Sequence, residues 1–388
     1  MFLQVHYLTS YHASLLNRDD AGLAKRITFG GVPRLRVSSQ SQKRHWREWM
    51  TEHTEVSSAW RTRNFFGRIL LPRIINSGIE SDQAHRLVYA LATKVLHAAG
   101  DNAAVAADTL MMKQPVLFGE PEARYFTVMI LDAVRAGGKA EEVLAERIDK
   151  EKHNFAAMLR QNGLQDPAAG FEGALFGRFV TSDILARVDA PVHVAHAFTT
   201  HALETEVDYF TVVDDLSRDD ETGAAHANDM ELGAGIFYGY AVVDIPLLVS
   251  NLTGCDRNTW QSQDWAGPRA LLDLLIHAMA EVSPGAKLGA TAPYSRAQCL
   301  VLEVGNAQPR SLANAYLRPI RPGTRGNDPM AQSVEALANH LNALENMYGY
   351  GMEQRWIASM LPWPRDEQPI PVQQAIDAAL KAIGGTGA

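Results

Sequence analysis

The sequence predicts an α+β protein built on a βαββαβ-type core that large insertions interrupt. Three observations carry this expectation. Residues 2 to 9 alternate Leu3, Val5 and Tyr7 against Gln4 and His6, the period of two of a strand. Residues 56 to 165 are rich in helix formers at helical spacing. The strand-like stretches GIFYGYAVVDI (235–245) and Gln298 to Val304 bracket a helical segment over 265–282.

Taken in order, the first strand runs into a loop from Tyr11 to Asp20. Phe29-Gly30-Gly31-Val32-Pro33 reads as a turn, and Arg34 to Val37 as a short strand-like segment. A helix follows. Ser39 with Gln42 three residues on is a capping-box pattern, with Ser38 and Ser41 as alternative starts. Gln40, Lys43, Arg44 and Arg47 fall on one face of it, while Trp46, Trp49 and Met50 lie on a neighbouring face that can pack inward. In the helical insertion, SDQAHRLVYALATKVLHAAG and AEEVLAERIDKEKHNFAAMLRQ show the clearest helical period. Gly170 to Asp183 returns to strand character through Phe176-Gly177-Arg178-Phe179-Val180. Residues 200 to 234 hold Glu204, Glu206, Asp208, Asp214, Asp215, Asp219, Asp220 and Glu221 with few core-forming residues, a polar excursion from the fold. The closing strand places Leu300, Leu302 and Val304 on one face. The tail beyond Pro362 contains Pro364, Pro369 and Pro371, ends in GGTGA and reads as frayed.

The chain has 388 residues, a soft prior for roughly two or three domain-sized units. Hydrophobic content of 46% and charged content of 21% are those of a soluble globular protein. No apolar run approaches the ~20 residues of a membrane span. The start, MFLQVHYLTSYH, lacks the basic-then-apolar build of a signal peptide, so a cytoplasmic location is expected. Two distant cysteines, Cys255 and Cys299, exclude a disulfide framework or a zinc ribbon.

The most informative stretch is Leu15 to Arg47. From Ala21 to Arg47 it has no acidic residue, yet it carries Lys25, Arg26, Arg34, Arg36, Lys43, Arg44 and Arg47 in a chain of net charge -8. A local basic run against an acidic average suits a polyanion laid along a groove, and a helix start near Ser38 to Gln40 favours phosphate. A plain solvated helix face is the ordinary alternative, but such faces usually mix signs. Val56 to Ile79 is a second acid-free stretch, with Arg61, Arg63, Arg68 and Arg73. Asn17-Arg18-Asp19-Asp20 could hold a metal for phosphodiester cleavage, though bracing of the basic loop by salt bridges is the simpler reading. His193, His196 and His201 lack metal-ligand spacing. The loop Gly285 to Thr291 is not a phosphate loop but offers Lys287. Phe176, Phe179, Tyr209 and Phe210 are candidate base-stacking aromatics, the last two because they sit where little core exists. No nucleophile elbow, nucleotide fingerprint or paired-carboxylate site is present, and no cofactor or metal is expected.

In order along the chain, LNRDD (16–20), FGG (29–31), RLRVSSQSQKR (34–44), Gly177-Arg178, VAHAFTTH (194–201), DYFTVVDDL (208–216), GAGIFYGYA (233–241), SPGAK (283–287) and SLANAY (311–316) together resemble the CasC-type backbone subunit of the type I-E CRISPR surveillance complex, Cascade. The likeness runs from about residue 2 to 320 with gaps. It implies a modified RNA-recognition (ferredoxin-like) palm over 1–55, 166–199 and 235–361. It also implies a helical finger insertion over 56–165, a protruding thumb over 200–234 and a C-terminal tail over 362–388. The function it implies is non-catalytic. Six copies would stack along one crRNA, grip its phosphate backbone and flip bases out at intervals. The guide is thereby presented to target DNA alongside sister subunits CasA, CasB, CasD and CasE. Asn17, Arg18, Lys25, Ser38, Gln40, Lys43, Arg44 and Arg47 would be backbone contacts and Lys287 would lie beside the RNA. Phe179 and the pair Tyr209-Phe210 would wedge near the flipped base. The family carries Met at the position of Phe179 and Trp at that of Tyr209, and both exchanges keep a bulky apolar wedge.

Backbone-only contact suits a guide holder, because base pairing carries the sequence information. The alternative from another class is a metal-dependent RNA-cleaving backbone subunit using Asp19 or Asp20. A protein scaffold without nucleic acid would have no need of the unbroken basic run.

Overall fold

Both faces of the first strand are buried, so its alternation sorts apolar from polar rather than core from solvent. Leu3, Val5 and Leu8 are fully buried, and so are Gln4 and His6. Gln4 is satisfied inside: its Oε1 accepts from the Tyr240 hydroxyl at 2.9 Å and from Arg310 N at 2.8 Å. This computed structural model describes residues 1–96, 105–151, 169–178, 188–212, 226–285, 291–321, 328–349 and 354–385.

In chain order the first elements are β1 (Phe2–Ser14), β2 (Arg26–Phe29), β3 (Val32–Val37), α1 (Ser39–His53) and β4 (Ala59–Thr62). Next come α2 (Leu71–Asn76), α3 (Ser81–Leu96), β5 (Val116–Gly119), α4 (Glu120–Arg135), α5 (Ala140–Glu151) and α6 (Gly170–Phe176). Then follow β6 (Val192–Val194), β7 (Ala197–Thr199), β8 (Thr205–Val212), β9 (His226–Asp244) and α7 (Ile245–Thr253). The last are α8 (Ala266–Glu281), β10 (Ala297–Gly305), α9 (Pro329–Tyr348), β11 (Gln354–Ser359) and α10 (Val372–Gly384).

The chain divides into two compact units, one of Met1–His53, His193–Val243 and Arg269–Ala388, the other of Thr54–Val192 and Asp244–Pro268. The first holds a sheet in the order β11-β10-β1-β9-β7-β3-β2, with β6 and β8 also paired to β9. Its core gathers Leu8, Phe198, Tyr238, Val301, Tyr316, Leu337 and Ile357. The predicted Phe29–Pro33 turn is a two-residue hairpin: Phe29 pairs with Val32 across Gly30 and Gly31, both at positive φ. The polar excursion at 200–234 contains an antiparallel ladder, from Thr205 opposite Gly233 to Val212 opposite His226. From Val372 to Gly384 the tail is a helix and not frayed, and its last three residues lie outside the described set. α10 buries Ala375, Ile376, Ala379, Leu380 and Ile383 along one stripe, a helical signal that the preceding prolines obscure.

The second unit packs α3, α4 and α5 around Phe65, Phe66, Leu91, Phe118, Phe126, Ile130 and Leu144. Here the strand expected from Gly170 is a helix as far as Phe176, and residues 179–183 of that expectation lie outside the described residues. Phe176 ends a buried helix, α6, which Gly177 terminates at a φ of 74°. GFEGALF is too short for its apolar spacing to separate the two periods. Arg178 forms only an isolated bridge with Val188, and its guanidinium is buried against Glu122 at 2.6 Å.

Candidate nucleic-acid interface

α1 is seated from below and anchored at its start. Ser38 caps it, one residue before the predicted Ser39: Ser41 N donates to Ser38 Oγ at 3.3 Å and Gln42 N to Ser38 O at 3.1 Å. Gln42 does not reach back to the cap. Its amide donates to Ala195 O at 3.0 Å and Val37 O at 3.3 Å, while its oxygen accepts from the Tyr7 hydroxyl. Trp46 and Met50 are buried beside it, whereas Trp49 is half-buried and stacks on His53 at 4.0 Å.

The opposite side of the helix start faces a groove of about 700 Å³. Asn17, Arg18, Ser38, Gln40 and Arg44 line one side, with Ser283, Gly285, Pro293 and Tyr294 also in the wall. Asn17 ties the β1 end to the helix, since its Oδ1 accepts from Ser38 N at 3.0 Å and its carbonyl from Lys25 N at 2.8 Å. His45 ties the helix to the far wall. Its Nδ1 donates to Ser41 O at 2.8 Å and its Nε2 accepts from Gly285 N at 3.4 Å. The groove thus brings together five of the predicted contacts from two stretches of sequence. It adds His45, Glu48 and Tyr294, which sequence reasoning missed; Tyr294 was legible only as a lone aromatic in a polar loop. Glu48, the one acid in the wall among the described residues, pairs with Arg44 at 2.8 Å.

Of the other predicted contacts, Lys25, Lys43, Arg47 and Tyr209 are not in the wall of this groove. Lys25 is half-buried, and its carbonyl accepts from Arg36 N at 2.9 Å. Lys43 and Arg47 are on α1 but not in the groove wall. Tyr209 is 67% exposed on β8, on the same face as Val207. The backbone of Phe210 is in β8 and its side chain is outside the described set. Phe179 and Lys287 lie outside the described residues.

Part of the basic run is spent on the fold. Arg34 is fully buried and donates to Phe29 O at 3.2 Å, Thr199 O at 2.9 Å and Tyr316 O at 2.9 Å. Arg26 pairs with Glu231, which also accepts from Ala24 N at 2.8 Å. In the second acid-free stretch, Arg73 forms a bidentate pair with Glu120 and Arg63 donates to Met112 O. Arg36 contacts His196 Nδ1 at 2.8 Å; burial, then the charges of Arg36 and Lys25, push that imidazole's pKa down. His193 is exposed and His201 is buried with Nε2 accepting from Ile236 N, so the three histidines diverge. Asp19 braces its loop through the backbone rather than by salt bridges: Oδ1 accepts from Ala21 N and Leu23 N, both at 3.0 Å. Among the described residues, no three His, Cys, Asp or Glu side chains converge as metal ligands, and no helix is long and apolar enough to cross a membrane.

Two solved structures share this fold. One is titled CRISPR RNA-guided surveillance complex, pre-nicking, with a TM-score of 0.78, 23% identity, and 98% of this chain and 100% of that chain covered. Another, titled CRISPR RNA-guided surveillance complex, has a TM-score of 0.58 at 23% identity, covering 99% of this chain and 100% of that one. No curated protein sequence matches the chain. Residues 3–381 match the family described as CT1975-like protein. With nearly the whole length matched, the chain belongs to the CT1975-like protein family.

Proposed function

We propose that this protein is a non-catalytic backbone subunit of a Cascade-type CRISPR surveillance complex, of the type I-E kind. Copies of it stack along one crRNA, hold its phosphates, and present the guide to target DNA beside sister subunits. The observation that carries this reading is the groove at the start of α1. Arg18 and Arg44 supply charge, Asn17 and Gln40 supply amides, and a capped helix start supplies a favourable dipole for phosphate. Contacts of this kind to phosphate position a strand without reading its sequence, which suits a holder of backbone. The strand order β10-β1-β9-β7, with α1 and α8 as connections, supports an RNA-recognition-like palm. The helical unit from Thr54 supports a finger, and the β8–β9 ladder with exposed Tyr209 supports a thumb that wedges bases.

The experiment is to express the chain with a CRISPR array and its sister subunits, purify the assembly, and sequence RNA that survives nuclease. Guide-length protected RNA in a large particle is the expected result; nucleic-acid-free monomer would sink the reading. Arg44→Ala should weaken all guide sequences alike and flatten the salt slope by about one unit. The alternative is an RNA-cleaving subunit using Asp19 or Asp20; engagement of Asp19 Oδ1 in its own turn favours the non-catalytic reading. Matched RNA and magnesium, with Asp19→Ala and Asp20→Ala controls, should yield no cleavage in any sample.

A further inference from the structure

Tyr294 stands out within the groove. It is 81% exposed, among the most solvent-facing large side chains described. The residues on either side of it are nevertheless held. Ala292 takes a φ of 48°, a left-handed conformation that a residue with a Cβ rarely adopts, and Tyr294 N donates to Ala292 O at 2.7 Å. The next residue is latched: Ser283 Oγ donates to Ser295 O at 2.9 Å and accepts from Ser295 N at 2.9 Å. Gly285, two residues past Ser283, is held by His45 of α1. Local strain and two anchors therefore hold an aromatic ring out into water, beside the cations of α1.

We propose that Tyr294 is a stacking platform for a nucleobase of the single strand whose phosphates run past Arg18 and Arg44. The proposal rests on the guide-holding reading and adds a contact of a different chemical kind. Each base has a π-face, so a ring of this sort holds a strand without selecting its sequence. The surroundings favour a base over a protein side chain. An aromatic anchor for a protein partner is normally ringed by apolar residues that exclude water. Here the wall, apart from Leu16 and Pro293, offers polar groups, among them Asn17, Arg18, Gln40 and Arg44, that match a sugar-phosphate chain. Among the described residues nothing bonds the Tyr294 hydroxyl, so the ring face rather than the oxygen is the working part.

The test uses the full chain with labelled single-stranded RNA across a potassium chloride series. Tyr294→Ala should weaken binding about fivefold or more while leaving the salt slope unchanged, since no phosphate contact is lost. Tyr294→Phe should keep wild-type affinity. On a strand with abasic residues, wild type and Tyr294→Ala should bind alike. Wild-type affinity for Tyr294→Ala, or an equal loss on intact and abasic strands, would overturn the proposal. So would loss of a sister subunit from the purified assembly with RNA affinity intact, which would make the ring a protein contact. Arg44→Ala separates the two levels of inference. If it lowers affinity and slope while Tyr294→Ala does nothing, the groove holds RNA and the stacking role falls. If the wild type binds no RNA, the guide-holding reading fails and the stacking role with it.

Discussion

Arg44 already has one anionic partner, and a phosphate in the proposed groove would be a second. Its guanidinium pairs with Glu48 one turn along α1, and both side chains remain largely exposed. Exposed pairs of this kind contribute little, so a phosphate can displace Glu48 at small cost. Glu48→Gln should therefore tighten RNA binding by about two- to fivefold at low salt, and filter binding at high salt should erase the gain. Asn17 has a different task although it lines the same wall. Its Oδ1 takes the backbone amide of Ser38, a buried residue. Asn17→Ala leaves that amide without its partner and should cost about 1–2 kcal/mol of stability in urea unfolding. A loss of RNA affinity with unchanged stability would mean that Asn17 acts on the ligand rather than on the helix start. At this scale the sequence revealed residue type but not destination. Arg34 and Arg44 look alike in a basic run, yet one is buried on three carbonyls and the other faces water. The distinction depends on Thr199 and Tyr316, far along the chain.

Elements were legible where local chemistry decided them. β1 announced itself by period, and α1 by its cap and its apolar side. The Gly30-Gly31 hairpin followed from the glycine pair, and it permits a comparison. Both glycines sit at positive φ, but a Cβ on Gly30 would fall 1.8 Å from Leu317 O, whereas one on Gly31 meets nothing within 4 Å. Gly31→Ala should cost about 1 kcal/mol from backbone conformation alone. Gly30→Ala adds a backbone clash, and its thermal midpoint should drop clearly further than that of Gly31→Ala. Equal shifts would mean that the Leu317 approach is not tight. Illegible elements were those decided by distant partners. α6 lies in a segment whose aromatics mimic a strand, and burial by the surrounding unit settles it as a helix. α10 follows a proline-rich stretch that reads as an end, and its stripe has meaning only against the core it covers.

For the molecule as a whole, charge inside the sheet governs behaviour in acid. His6 is fully buried, stacked on Tyr240 at 4.7 Å, with Nδ1 accepting from the Tyr238 hydroxyl and Nε2 facing Glu303 at 3.4 Å. Burial lowers its pKa below 6.5, against the opposing pull of Glu303. Burial would also raise the Glu303 carboxyl, but His6, Arg355 and Arg310 outweigh it and hold that group well below the usual carboxylate range. Both depressed values act in one direction. As pH falls through 6.5 the unfolded chain takes up a proton that folded His6 refuses; below about 4.5 the same holds for Glu303. Thermal midpoints should fall as pH drops from neutrality, and His6→Gln should make the first part of that decline shallower. His277, raised by Glu281 and Gln373 against burial, works the other way, so His277→Gln should steepen it. The same long-range wiring affects how the protein is made. Arg34 donates to Tyr316, 282 positions later, and β1 lies against β10. A ribosome that has released α1 has not yet delivered Ala195, whose carbonyl takes the Gln42 amide, or Gly285, whose amide meets His45. The groove is thus completed late in synthesis, and a nascent chain carries its cations without the cradle that would let them keep an RNA.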